Sequence, residues 1–184
     1  MSADHTTALA EIGTVLDAVD QASVDQACAM LAEADDVLLY GCGREGLQMR
    51  GLAMRLYHLG LSAGMVGDMN APPLGQGDVL MVSAGPGTLS TVTALMQVAR
   101  RDGARILILT ATPGSDAEEL ADHVLHIPAQ TMASDQGPAA RSVLPMGSVY
   151  EGALFMLFEM MVLDLRSRLG ATAEEMRARH TNME

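Results

Sequence analysis

Short apolar runs alternate with longer mixed stretches through the middle of the chain. The runs are nearly continuous in Val, Ile, Leu and Met, as is typical of strands that are buried on both faces of a parallel sheet. The five predicted strands are at 37–40, 62–66, 78–82, 106–109 and 124–127. The helices predicted between them are at 45–59, 88–101 and 115–121. This alternation predicts an α/β fold with a five-stranded parallel sheet and helices on both of its faces.

Helical patterns also lie before and after this region. A stripe with spacings of three and four residues predicts a first helix, and its members are Leu9, Ile12, Leu16 and Val19. Ser23 and Gln26 form a capping pattern for a second helix that ends near Glu33. We expect one domain over 1–184, and its predicted parts are N-terminal helices (1–34), the parallel α/β core (35–128), a polar loop (129–144) and C-terminal helices with a tail (145–184).

The long helix predicted at about 148–168 is apolar on nearly every side. A helix at the surface of a domain needs only one apolar stripe, so the far side of this one must also be covered. We expect a second copy of the chain to cover it, which predicts a homodimer or homotetramer formed through the C-terminal helix. Its most apolar run, 153–163, contains Glu159 and is shorter than the roughly 20 residues that cross a bilayer, so no membrane partner is expected.

Charge and cysteine content narrow the class of protein. The 11 basic residues, all arginine, face 23 acidic ones and give a formal charge of −12. The lack of lysine excludes a Schiff-base lysine and a P-loop lysine, and the acidity argues against a nucleic-acid partner. Two cysteines are too few for a disulfide framework, and the first residues do not resemble a signal peptide. We therefore expect a soluble cytoplasmic protein.

Small polar residues follow three of the predicted strands, where ligands of parallel sheets bind. The loop after the third strand is the most informative, and its candidate ligand-binding residues are Ser83, Gly85, Gly87, Thr88 and Ser90. Free backbone N–H groups and hydroxyls at the start of a helix form an anion site. The alternative is a tight turn with a helix cap and no ligand.

The loop after the first strand matches the G-x-G-x-x-G pattern of dinucleotide-binding proteins, with its glycines at 41, 43 and 46. Taken alone this pattern is weak. The long helical segment before the strand, the arginine within the motif and the second anion-type loop all fit a nicotinamide enzyme poorly, so no cofactor is expected. His123 and His126 lie three apart on a strand and face opposite sides, so no metal site is predicted either.

Several segments together resemble one known family over nearly the whole chain. They are GCGREG (41–46), MRLYHLG (54–60), SAGPGTLS (83–90), LPMGS (144–148) and EEMRARHTNME (174–184). Their order is similar to that of the sugar isomerase (SIS) domain family, and within it to the 6-phospho-3-hexuloisomerases. The resemblance implies a three-layer αβα sandwich, a dimer or tetramer, and metal-free aldose–ketose isomerisation of a sugar phosphate. A non-catalytic SIS module that senses a sugar phosphate or another carbohydrate derivative is the alternative.

The resemblance also implies roles for individual residues. Glu151 matches the family's catalytic glutamate, and a carboxylate is suited to move a proton between adjacent sugar carbons. His180 matches a tail histidine that assists at the site of its own or a neighbouring subunit. Gly43 and Arg44 fall in the first ligand loop, where Arg44 could neutralise Glu45 or contact the phosphate.

Two departures from the family pattern affect the ligand site. Glu45 stands where a serine is usual, and Gly85 and Pro86 replace a serine and a glycine in the second loop. A carboxylate close to a phosphate dianion is repulsive. With the family's phosphosugar as ligand, we therefore expect Glu45 to be offset, either by pairing with Arg44 or by pointing away from the pocket. With a less negatively charged ligand, Glu45 would instead accept hydrogen bonds from that ligand's hydroxyls or amine.

Overall fold

The alternating apolar runs form one sheet of five parallel strands in the order β2-β1-β3-β4-β5. The strands are β1 (Asp36–Gly41), β2 (Ser62–Met65), β3 (Val79–Ser83), β4 (Arg105–Thr110) and β5 (His123–His126). The computed structural model describes residues 2–183, so Met1 and Glu184 of the predicted domain lie outside the described residues. All five strands were predicted to within two residues.

Six α-helices accompany the sheet within residues 2–183. They are α1 (Ser2–Asp17), α2 (Gln21–Ala32), α3 (Gly43–Leu59), α4 (Ser90–Asp102), α5 (Ser148–Leu169) and α6 (Ala173–Ala178). The predicted capping pattern of α2 was wrong, because Asp20 is the N-cap and its carboxylate accepts the Ser23 N–H. The helix predicted at 115–121 was also wrong, since only a short 3₁₀ turn, Glu118–Leu120, forms there.

Helices cover both faces of the sheet, which confirms the three-layer αβα sandwich. On one face, β-strand residues such as Val37, Leu39 and Met81 share a core with α1, α2, α3 and α5. On the other face, strand neighbours such as Leu38 and Leu80 pack against α4. Successive side chains of a strand point to opposite faces, so strands buried on both faces are apolar at every position.

The strand order reverses between β1 and β3, and this reversal positions the candidate site. The chain leaves β1 through α3 toward β2, and it leaves β3 through α4 toward β4 on the opposite side. Gly41 and Ser83, at the ends of β1 and β3, are paired in the register. A crevice opens at such a switch point beyond the carboxyl ends of the strands.

Helix α5 is packed on one side and open on the other. The segment Pro145–Leu169 is long and apolar enough to cross a bilayer by length and composition, although a core helix passes the same test and 50% of its most apolar stretch is buried here. It packs against α1, α2 and α3. Its uncovered apolar side chains are Phe155, Met156, Met160 and Leu163. None of the residues 2–183 covers this exposed face of α5.

Candidate active site

The candidate site lies at the switch point, where three helices begin. Helix α3 starts at Gly43, α4 at Ser90 and α5 at Ser148. The GCGREG glycines serve backbone packing, because a Cβ on Gly46 would overlap the carbonyl of Gly41. The close approach of α3 to its own strand therefore accounts for a pattern that also occurs in dinucleotide-binding proteins.

Glu45 points into the loop that follows β3. Its side chain is 9% exposed, and Oε2 accepts hydrogen bonds from Ser83 Oγ at 2.5 Å and from the Gly85 N–H at 3.0 Å. The expectation that Glu45 pairs with Arg44 or points away from the pocket was wrong. A carboxylate is favoured in the first turn of α3 by the helix dipole, and two neutral donors at the end of β3 complete its solvation.

Tyr150 holds this loop from the other side. A Cβ placed on Gly85 would lie 2.9 Å from the Tyr150 ring, so only glycine leaves room for the ring. Tyr150 Oη lies 3.2 Å from Ser83 Oγ, which already donates its proton to Glu45 and therefore accepts one from the tyrosine. Burial, and next the charge of Glu45, raise the pKa of Tyr150, so its hydroxyl stays protonated as a donor.

Arg44 is directed toward the start of α5. Its guanidinium lies 3.2 Å from Oε1 of Glu151 and donates to Ser148 Oγ at 2.6 Å and to the carbonyl of Met146. Met146 has a φ of 59°, the one positive φ outside glycine among the described residues. Arg44 thus stabilises an unfavourable turn and fixes the first turn of α5, which carries Glu151.

Glu151 has the features of a general base. Its side chain is 15% exposed, and Oε2 is buried without a hydrogen-bond partner among the described residues. Burial raises the pKa of Glu151 above its usual range, the guanidinium of Arg44 opposes the rise, and the charge of Glu45 adds to it. A carboxylate with a raised pKa and one free oxygen can accept a proton from carbon near neutral pH.

The second half of the loop leads into α4. Gly87, with a φ of 97°, is buried beside Thr112 and Ser115, and Ser115 Oγ is buried without a partner among the described residues. Leu89 is the N-cap and makes no side-chain capping bond, so the hydroxyls of Thr88 and Ser90 do not cap the helix there. The start of α4 therefore keeps its exposed polar groups for another partner.

His180 lies away from this site in its own chain. Its ring stacks on that of His58, with centroids 5.4 Å apart, near the carboxyl end of α3. At about 1.5 Å per residue, roughly 20 Å of helix separate His58 from Glu45. Of the predicted catalytic pair, only Glu151 is at the switch point, so the structure does not bring His180 together with it.

The contacts bring together Arg44, Glu45, Ser83, Gly85 and Glu151, and Gly43 lies at the start of α3 beside them. Sequence reasoning missed Tyr150, Ser148 and Ser115. Tyr150 was grouped with the apolar residues of α5, although its position directly before Glu151 could have marked it. Within residues 2–183, no three His, Cys, Asp or Glu side chains are close enough to hold a metal ion.

Comparison with known proteins gives a consistent result. The SIS domain family model matches residues 30–156. A protein of Mycobacterium gastri named 3-hexulose-6-phosphate isomerase is 34% identical over 95% of this chain and 86% of its own length. One of the same name from Bacillus subtilis is 28% identical over 90% of this chain and 89% of its own.

Solved structures share the architecture. A hypothetical protein of Methanococcus jannaschii superimposes on this chain with a TM-score of 0.83 at 23% identity. Its crystal structure was used to infer for that protein the function of a 3-hexulose-6-phosphate isomerase. The match covers 97% of this chain and 98% of that one. This likeness extends the shared fold beyond residues 30–156 to 97% of the chain.

Proposed function

This chain belongs to the SIS domain family, and on that premise we propose that it is a phosphosugar isomerase that interconverts 3-hexulose 6-phosphate and fructose 6-phosphate. The observation that carries the proposal is the carboxylate of Glu151. One of its oxygens is fixed by Arg44, and the other is buried and unpartnered beside two ligand loops. The names of the similar proteins supply the substrate.

The proposed reaction moves a carbonyl from C3 of the sugar to C2. Glu151 takes the proton from C2, the electrons of that C–H bond form a C2–C3 double bond, and the π electrons of the C3 carbonyl move onto its oxygen, which gives an enediolate. The hydroxyl proton of the C2 oxygen then moves to the C3 oxygen, the C2 carbonyl forms, and Glu151 delivers its proton to C3. The raised pKa of Glu151 suits both steps, since the same group must accept and then donate the proton.

The phosphate group is assigned to the start of α4. Thr88 and Ser90 supply exposed hydroxyls, and the first backbone N–H groups of α4 point the same way as its positive dipole end. Ser115 Oγ, buried beside Gly87, is an additional hydrogen-bond donor at this end. Ser83 and Gly85 are already engaged with Glu45, so this end offers the donors that remain.

The proposal includes a second copy of the chain on the open face of α5. Phe155 and Leu163 are 56% and 57% exposed there, and the neighbouring α3 adds the exposed Met54 and Tyr57. The tail containing His180 borders the same face, because Met54 and Tyr57 line a cavity with it. Since His180 lies far from Glu151 of its own chain, a catalytic role for it requires the site of a neighbouring copy.

Sedimentation tests this assembly. We expect a dimer or tetramer, and a Leu163→Glu variant with unchanged circular dichroism should sediment as a smaller species, because it places a charge on the apolar face. A wild-type monomer of 19.4 kDa at micromolar concentration would contradict the assembly. The charge of −12 and the α/β fold support a cytoplasmic location without a nucleic-acid partner.

One observation favours a second candidate function, a non-catalytic module that binds a carbohydrate derivative other than a sugar phosphate. Glu45 fills two donors that a ligand anion could use, which is unexpected in a site built only for a phosphosugar. Turnover separates the two functions. The isomerase should convert 3-hexulose 6-phosphate and, in D₂O, should place deuterium on carbon in the product, whereas a sensor binds without either effect.

A further inference from the structure

Glu45 occupies the hydrogen-bond donors at the end of β3. Both Ser83 Oγ and the Gly85 N–H donate to Oε2 of its carboxylate. The position is fixed by packing as well, because the Tyr150 ring lies against Gly85 and its hydroxyl contacts Ser83. The carboxylate of Glu45 therefore occupies both donors, and neither is left for a ligand.

No cation balances this anion among the described residues. Arg44, its neighbour in sequence, is committed to Glu151, Ser148 and the Met146 carbonyl. The carboxylate is stabilised only by neutral donors and the start of α3. A phosphate dianion on the same donors would compete with Glu45 for each hydrogen bond and would meet an uncompensated like charge.

The other oxygen of Glu45 is free to act on a ligand. Oε2 takes both hydrogen bonds, and the described residues offer Oε1 no donor. Glu151 likewise uses Oε1 for Arg44 and leaves Oε2 unpartnered. Burial raises the pKa of Glu151, Arg44 opposes the rise, and the charge of Glu45 adds to it. Each carboxylate thus has one oxygen that takes no hydrogen bond from the described residues.

We propose that Glu45 is the specificity-determining residue of this site: it bars phosphate from Ser83 and Gly85 and accepts a hydrogen bond from a sugar hydroxyl through Oε1. The inference rests on the proposed function, because it orients the same phosphosugar. The phosphate group of the bound sugar would lie at the start of α4, and the hydroxyl-bearing end of the sugar would lie beside the end of β3.

The test measures the dissociation constant of inorganic phosphate by calorimetry with the full chain. Glu45→Ser frees two donors and removes a negative charge, so we expect it to bind phosphate at least tenfold more tightly than the wild type. The preference for fructose 6-phosphate over phosphate should fall at least tenfold in the same variant. Glu33→Gln removes one negative charge at the amino end of the sheet and is the matched control, with unchanged constants.

Ser83→Ala separates exclusion from displacement, in which phosphate would push Glu45 aside. If Glu45 bars phosphate, Ser83→Ala leaves phosphate binding unchanged in the wild-type background and removes much of the gain in the Glu45→Ser background. Weaker phosphate binding by Ser83→Ala alone would overturn the proposal. Glu45→Gln keeps the side-chain length if Glu45→Ser is unstable, and it should show a smaller gain.

Turnover keeps this test distinct from that of the proposed function. A wild-type protein without turnover that still shows the predicted phosphate pattern would refute the isomerase and retain the role of Glu45 in excluding phosphate. Turnover in the wild type together with unchanged phosphate affinity in Glu45→Ser and Glu45→Gln would refute the role of Glu45 and retain the isomerase.

Discussion

Glu45 and Glu151 occupy similar places in two different helices, yet their surroundings differ. Each lies in the first turn, of α3 and α5 respectively, where the helix dipole favours a negative charge. Glu45 is held by two neutral donors from the end of β3. Glu151 has one cationic partner, Arg44, and one buried oxygen with no partner among the described residues.

The two carboxylates therefore differ in how the protein accommodates their charge. Hydrogen bonds from fixed donors satisfy an anion and hold it in place. An unpartnered buried oxygen is costly to the fold and is retained where it has a use, such as accepting a proton from substrate. Four substitutions test this contrast, one at Glu151 and three at residues that hold Glu45 or Glu151 in place.

The largest effect is expected from Glu151→Gln. Removal of the base should lower kcat by at least about 10²-fold and leave ligand affinity nearly unchanged, because the amide keeps the shape of the side chain but cannot accept the proton. Steady-state kinetics and a separate binding titration measure the two parts, with Glu33→Gln as the control for lost charge. A decrease in kcat of less than tenfold would show that Glu151 is not the catalytic base.

Gly85→Ala tests the packing that holds Glu45 in its place. The new methyl group would lie 2.9 Å from the Tyr150 ring. We expect the free energy of unfolding in urea to fall by about 1–3 kcal/mol, the usual cost of overpacking. Gly51→Ala is the matched control within α3, since a Cβ there has no atom within 4 Å. That control should gain about 0.5–1 kcal/mol. Equal stability of the two variants would contradict the predicted clash.

Tyr150→Phe removes the hydroxyl that reaches Ser83. The expected loss is about 0.5–1.5 kcal/mol in the free energy of unfolding, the usual contribution of one hydrogen bond. Tyr57→Phe, at an exposed tyrosine of α3, provides the comparison and should leave stability unchanged. If both variants unfold alike, the Tyr150 hydroxyl does not support the loop.

Arg44→Gln gives the smallest effect, a displacement of the pH profile. The base works as a carboxylate, so we expect activity to fall as the pH drops through the pKa of Glu151, which burial raises. Arg44 opposes this rise, so its removal should move the acid limb to still higher pH. Arg50→Gln, at an exposed arginine paired with Asp68, should not move it. A limb that moves to lower pH would contradict the assigned sign.

The fold was predictable because its signals are local and repeated. The strands β1, β3 and β4 each contain an apolar run of four residues, and glycine ends the helices at Gly60, Gly103 and Gly170 in the left-handed conformation that favours it. The membership in the SIS domain family was likewise identified correctly from the sequence segments. Short elements were less predictable, because propensity alone does not separate a 3₁₀ turn at 118–120 from a helix.

The sequence indicated which strand ends carry polar residues, but it did not predict how those residues pair. Arg44 and Glu45 are neighbours in sequence, which suggested an ion pair, but successive residues of a helix project in different directions. In the folded chain Arg44 reaches Glu151 and Glu45 reaches Ser83. His180 was recognised in the tail, but its position beside His58 follows from the docking of α6 on α3.

The sequence by itself determined the sheet, its helices and the set of polar residues at the strand ends, because periodicity and turn chemistry depend on residues close in the chain. Only the tertiary structure decided which carboxylate is held by two donors and which keeps a buried oxygen without a partner among the described residues. The partners of Glu45 and Glu151 come from segments 38 to 107 residues away, and burial, which sets the pKa of Glu151, exists only once those segments pack. The sequence around the two glutamates does not show this difference in partners and burial.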